Sequence, residues 1–149
     1  IQGLETLSIR MDRHVQNALA IAQFLQNHKE VAWVKYAGLE DSPYHDLAKK
    51  YTPKGPGAVF SFGLKAGSGD VRQKGKDFIE NLNLFSHLAN VGDARSLVIH
   101  PASTTHQQLS DDELKAAGIG PELIRFSVGL ETLEDLLWDL EQSFHAISR

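Results

Sequence analysis

Between Leu4 and Leu25 the apolar residues Leu4, Leu7, Met11, Val15, Ala18, Ala22 and Leu25 recur every three or four positions. That spacing predicts one long amphipathic helix, with Arg10, Arg13, His14 and Asn17 largely on its other faces. Asn27-His28 closes it. Val31-Ala32-Trp33-Val34-Lys35-Tyr36 then reads as a strand rich in branched and aromatic side chains. A loop from Gly38 to Pro43 follows, then a short helix from Tyr44 to Tyr51, stopped by the Pro53-Lys54-Gly55-Pro56-Gly57 cluster. Ala58 to Leu64 forms a second strand. Asp70 stands where it can cap a helix over Val71 to Asn81, with Val71, Phe78, Ile79 and Leu82 on its buried side. Leu84-Phe85 and Leu97-Val98-Ile99 read as short strands. Ser110 and Glu113 have capping-box spacing and open a short helix that stops before Gly118. Leu123 to Val128 is the last strand. Thr132 starts a final helix, with Leu133, Leu136, Leu137, Leu140 and Phe144 inward and Glu134, Asp135, Asp139 and Glu141 on the wet side. One sheet covered by helices, an α/β or α+β sandwich, is the expected architecture.

Composition narrows the classes. At 149 residues the chain is long enough for one core, and it shows no internal repeat or linker. No apolar run approaches the roughly 20 residues that span a bilayer, so membrane insertion is not expected. Lys and Arg number 15 against 19 Asp and Glu, which disfavours a nucleic-acid partner held through phosphate charge. With no cysteine there is neither a disulfide framework nor a thiolate metal site, a composition compatible with the cytoplasm. The chain opens Ile1-Gln2-Gly3 and is read as a piece of a longer or processed product.

Strand period places Arg125 and Ser127 on the opposite side from Ile124, Phe126 and Val128. A strand-borne guanidinium can bind a carboxylate through parallel charge-assisted hydrogen bonds. It can equally sit on a wet sheet face or pair with a neighbouring acid. The run Ser96 to His106 passes from a strand through Pro101 into Ser103-Thr104-Thr105-His106, a loop that can present N–H and hydroxyl groups to an anion, or simply satisfy its own turn. His100 and His106 lack a third ligand at recognisable spacing, so a metal site is not expected. No Gly-x-Ser-x-Gly or phosphate-loop pattern occurs.

Taken in order, Gly3-Leu4-Glu5-Thr6-Leu7 with Arg10-Met11 and His14, Gly57 to Phe62, Ser96 to His106, and Ile124-Arg125-Phe126-Ser127-Val128-Gly129-Leu130-Glu131 resemble the C-terminal portion of the Cys/Met-metabolism family of pyridoxal-phosphate (PLP) enzymes. Leu88-Ala89-Asn90-Val91-Gly92-Asp93-Ala94-Arg95 most resembles that family's O-acetylhomoserine sulfhydrylases; cystathionine lyases and methionine γ-lyases tend to carry an acidic residue at the place of Arg95, and the cystathionine enzymes, synthases included, usually differ over the preceding segment too. Ala37 departs from the proline usual before Gly38-Leu39.

The resemblance implies the small C-terminal domain of the aspartate-aminotransferase-like fold over residues 1–149, mostly antiparallel and led by a long helix over about 1–27. It implies that Arg125 clamps the α-carboxylate of an amino-acid substrate. Ser96 and the neighbouring Leu97 backbone would lie beside it, with Thr105 and His106 shaping the same wall. The implied reaction is γ-replacement, sulfide displacing acetate from O-acetyl-L-homoserine in methionine biosynthesis. PLP would be held by a large domain that this chain lacks, since Lys65 in Phe62-Gly63-Leu64-Lys65 has no Ser/Thr-rich setting. No catalytic residue is therefore expected in this chain, which alone would be inactive. The intact enzyme would be a cytoplasmic homotetramer. A rival of another class is a non-catalytic α+β binding or assembly module.

Overall fold

The change from helical to strand period at Val31 and again at Val59 builds the first hairpin-like pair of a five-stranded sheet, seen in a computed structural model that describes residues 1–148. Arg149 lies outside the described residues. The strands are β1 (Val31–Lys35), β2 (Val59–Leu64), β3 (Ser86–His87), β4 (Leu97–Ile99) and β5 (Leu123–Ser127). Their order is β1-β2-β5-β4-β3, and every pairing is antiparallel except β3 with β4. The helices are α1 (Gln2–Glu5), α2 (Leu7–Gln26), α3 (His45–Tyr51), α4 (Val71–Glu80), α5 (Asp111–Ala116) and α6 (Leu133–Ile147). A 3-10 turn, Pro101–Ser103, follows β4.

Two-residue alternation sorts the sheet into unlike faces. Phe60, Phe62, Val98, Ile124 and Phe126 point to the helices and join one core with Ile21 and Leu25 of α2, Phe78 of α4, and Leu136, Leu140 and Phe144 of α6. Aromatic contacts run through it: Phe62 to Phe126 at 5.0 Å, Phe85 to Phe126 at 4.6 Å and Phe78 to Phe144 at 4.8 Å between ring centroids. The other face carries Lys35, Ser61, Arg125 and Ile99, which register places side by side across four strands.

The expected caps are present. Asp70 accepts from the Arg72 N–H at 2.9 Å, and Ser110 with Glu113 makes the capping box of α5. The Ser110 hydrogen bonds hold the Glu113 carboxyl below the usual carboxylate range.

Several expectations are corrected. The leading helix is interrupted at Thr6, whose φ of −109° and ψ of 8° leave the helical region, and the Arg10 guanidinium caps the freed Gly3 carbonyl. His14 and Asn17 are buried rather than wet. The chain beyond β5 has carbonyls with no strand partner, and α2 satisfies them: His14 Nδ1 lies 2.6 Å from Val128 O, and Asn17 Nδ2 donates to Gly129 O at 3.1 Å and Glu131 O at 2.9 Å. Asp139 is fully buried, accepting from the N–H groups of Asn83 at 2.8 Å and Leu84 at 2.9 Å. The same bonds explain why Leu84-Phe85 is not a strand. Their amides turn to a helix carboxylate, and pairing starts only at Ser86.

Candidate functional site: an arginine-lined groove on the open sheet face

The face left bare by the helices forms a groove of about 540 Å³ lined by Lys35, Ser61, Ile99, Thr105, His106, Ile119 and Arg125, among others. Arg125 is part of its lining. On β5 it is flanked by Ser61 of β2 and Ile99 of β4, both held by ladder hydrogen bonds, so its backbone cannot drift. Its side chain is half-buried, and one terminal nitrogen donates to the Asn90 carbonyl at 3.1 Å. Of the five N–H groups of a guanidinium, this bond uses one on the Nη2 side and leaves others for a planar anion.

The loop that supplies Asn90 folds over the edge of the groove. Gly92 N–H donates to the Ser127 hydroxyl at 3.3 Å, two residues along β5 from Arg125. Thr105 and His106 also line the groove, joined by a 2.8 Å bond between Thr105 Oγ1 and His106 Nδ1. Lys35 adds a further cation on β1, its amine 4.7 Å from the Trp33 ring centroid. The lining is otherwise apolar, which favours close approach of a carboxylate to the cations over a fully hydrated encounter.

Four sequence-derived candidates thus separate into two groups. Arg125 and Thr105 share the groove, together with His106. Ser96 and Leu97 do not line it: both are buried, and Leu97 is fixed between Ser127 and Ser86 by sheet pairing. The Ser96 N–H and hydroxyl donate to the two oxygens of Glu131 at 2.7 Å and 2.8 Å, and the hydroxyl accepts from Gly129 N–H at 2.8 Å. Gly129 is required there because any Cβ would strike the Glu131 carboxylate and the Ala94-Arg95 backbone. This bracket locks the start of β4 to the end of β5, the two strands that frame Arg125.

Sequence reasoning did not single out Lys35, Ser61, Ile119 or the Asn90 carbonyl. Lys35 and Ser61 share Arg125's sheet row, a fact readable only once strand order and register are known.

The environment of Lys74 does not fit a covalently held cofactor. A larger depression of about 700 Å³ contains Gly67, Ser68, Gly69 and Lys74, yet it is lined by Glu30, Asp70 and Asp77. Its amine is bound by Glu30 Oε2 at 2.7 Å and Lys65 O at 2.9 Å, and the Asp70 side chain takes the helix N-terminus that a phosphate would need. Repulsion from three carboxylates would disfavour a phosphate further. Among the described residues no group of three metal-ligating side chains converges, and no helix is long and apolar enough to cross a membrane. His100 is bonded within the fold and His106 to Thr105.

The chain is 54% identical over 141 residues to O-acetyl-L-homoserine sulfhydrylase 1 of Thermus thermophilus, covering 95% of this chain and 32% of that protein. It is 52% identical over 143 residues to homocysteine synthase of Schizosaccharomyces pombe, again covering 32% of the relative. A 2.35 Å crystal structure of a putative O-acetylhomoserine (thiol)-lyase from Campylobacter jejuni, solved with a pyridoxyl-lysine phosphate group, superposes with a TM-score of 0.86 at 43% identity, over 97% of this chain and 33% of that one. The chain therefore spans about a third of the length of the relatives it matches. The family model for Cys/Met metabolism PLP-dependent enzymes matches residues 1–145, and with a mostly antiparallel sheet presenting Arg125 on its open face, the chain belongs to that family.

Proposed function

We propose that this chain is the substrate-carboxylate-binding part of an O-acetyl-L-homoserine sulfhydrylase, which replaces the acetate of O-acetyl-L-homoserine with sulfide to give L-homocysteine. The observation that carries the reading is Arg125, half-buried in a mostly apolar groove and held on a central strand. Arg125 binds the α-carboxylate of the amino-acid substrate through charge-assisted N–H donors, while the Asn90 carbonyl restrains the guanidinium from the other side. Thr105 and His106 form the opposing wall and exclude water from the bound carboxylate. The Ser96–Glu131–Gly129 bracket acts indirectly, by fixing the β4–β5 geometry. Every one of these groups positions substrate; none in this chain moves a proton or electrons.

The chain does not itself hold the cofactor. Pyridoxal phosphate supplies the electron sink of the reaction from the part of the enzyme that corresponds to the remaining two-thirds of the relatives, and that part is the chain's obligate partner. In this reading residues 1–149 are the small domain, inactive alone, of a homo-oligomeric cytoplasmic enzyme of methionine biosynthesis.

The choice of a sulfhydrylase over a γ-lyase or cystathionine enzyme is supported by the names of the Thermus and Schizosaccharomyces relatives. Supplying the full-length protein with O-acetyl-L-homoserine and sulfide should yield homocysteine, and L-methionine alone should yield little methanethiol. Faster methanethiol release than homocysteine synthesis would replace this assignment with a γ-lyase.

A further inference from the structure

His100 lies directly behind the groove, and the proposed carboxylate site does not use it. It follows Ile99, which lines the groove, so strand alternation sends its side chain to the helix side of the sheet, where it is 0% exposed. Its Nε2 is 2.7 Å from Pro121 O and its Nδ1 is 2.8 Å from Ser103 Oγ. A carbonyl can only accept, so Nε2 carries a proton and donates to Pro121 O, while Nδ1 shares a hydrogen bond with the Ser103 hydroxyl. The ring is a bridge.

What it bridges matters. The chain leaves the sheet after Ile99 and returns at Leu123, and the excursion begins with the Pro101–Ser103 turn and ends at Pro121. Thr105, His106 and Ile119, which line the groove together with Arg125, all lie on that excursion. Helix α4 backs the bridge from behind. A Cβ at Gly75 would come 2.8 Å from His100 Nε2, so only glycine lets the helix close on the ring, and Arg72 donates to Ala102 O at 2.9 Å. Burial is the main cause holding the His100 pKa below its usual value, ahead of the nearby positive charges of Arg72 and Lys76, in keeping with a ring that stays neutral.

We propose that His100 is a positioning residue for the substrate groove: by tying both ends of the Pro101–Pro121 excursion, it sets the distance between the Thr105–His106 wall and Arg125. The proposal rests on the reading of that groove as the carboxylate site. Loss of the tether lets the wall move away from Arg125, which weakens substrate binding while leaving the chemistry at the cofactor intact.

The test uses the full-length holoenzyme with O-acetyl-L-homoserine and sulfide. His100→Leu keeps the volume and removes both bonds; His100→Gln keeps an N–H donor near the place of Nε2. The expected result is a KM for O-acetyl-L-homoserine raised roughly tenfold in His100→Leu, with kcat and the visible cofactor absorption per subunit within about twofold of the parent, and at least half of the loss recovered in His100→Gln. An unchanged KM, a loss confined to kcat, or a glutamine variant no better than leucine would each overturn the positioning role. Should His100→Leu not fold, Ser103→Ala, which removes one tether, must raise KM in the same direction, and an unchanged KM there overturns the proposal as well. Arg125→Ala is measured alongside. If it leaves KM and kcat unchanged, the groove is not the carboxylate site; if it impairs the enzyme while the His100 variants do not, only the tether is wrong.

Discussion

At Ser96 one hydroxyl serves two partners: it donates to Glu131 and accepts from the Gly129 N–H, tying the start of β4 to the end of β5. Ser96→Ala should cost about 2 kcal/mol of stability, because it strands a buried amide and a carboxylate oxygen, and a denaturant titration would measure it. Two desolvated histidines add a pH signature. Desolvation first of all holds both His28, stacked on Phe144 at 3.9 Å, and His100 below the usual value. The unfolded chain therefore takes up protons at about pH 6.5 while the folded chain resists them until lower pH. Their contribution to stability is complete above that value and lost as pH falls below it towards the folded-state pKa values. Glu30, held low by Lys74, loses its share only below the usual carboxylate value of 4.5. The denaturation midpoint should thus drop between pH 7.5 and 5.5, and His100→Gln should remove part of the drop; a midpoint flat across that interval would contradict it.

At the scale of elements, polar residues on faces that the helical period assigns to solvent carry the docking of helices to loops. Asp139 joins α6 to the segment before β3 by accepting backbone N–H groups in the interior. Asp139→Ala should destabilise by about 3 kcal/mol, whereas Glu134→Ala on the exposed side of the same helix should stay within about 0.5 kcal/mol. Comparable losses in the two would show that Asp139 is not an anchor. This contrast also marks what the sequence could reveal. Strand and helix periods were legible because one face of each element is apolar, and Arg125 was placed by alternation alone. His14, Asn17 and Asp139 looked solvent-facing because helical period cannot see their partners, which lie 114 residues away for His14 and 56 for Asp139. Lys35 and Ser61 joined the site only through strand register.

On the scale of the molecule, the helices cover one sheet face and leave the other to the groove. Ile1, Leu4 and Ile9 are 99%, 70% and 72% exposed along the leading helices, an unusual density of uncovered apolar side chains. The isolated chain should therefore self-associate as its concentration rises, read by light scattering; a monodisperse monomer at every concentration would argue for the stand-alone module instead. The resemblance carried function further than local patterns could, since five-donor arginines and hydroxyl-rich loops are common, and only their shared groove separates Arg125 and Thr105 from an ordinary wet face.

The central claim is that Arg125 holds the substrate carboxylate. Its most direct test is kcat/KM for O-acetyl-L-homoserine in the full-length enzyme carrying Arg125→Ala. A lost charge-assisted contact of at least about 1.5 kcal/mol predicts a fall of roughly tenfold or more, with cofactor absorption retained. An unchanged kcat/KM would contradict the account.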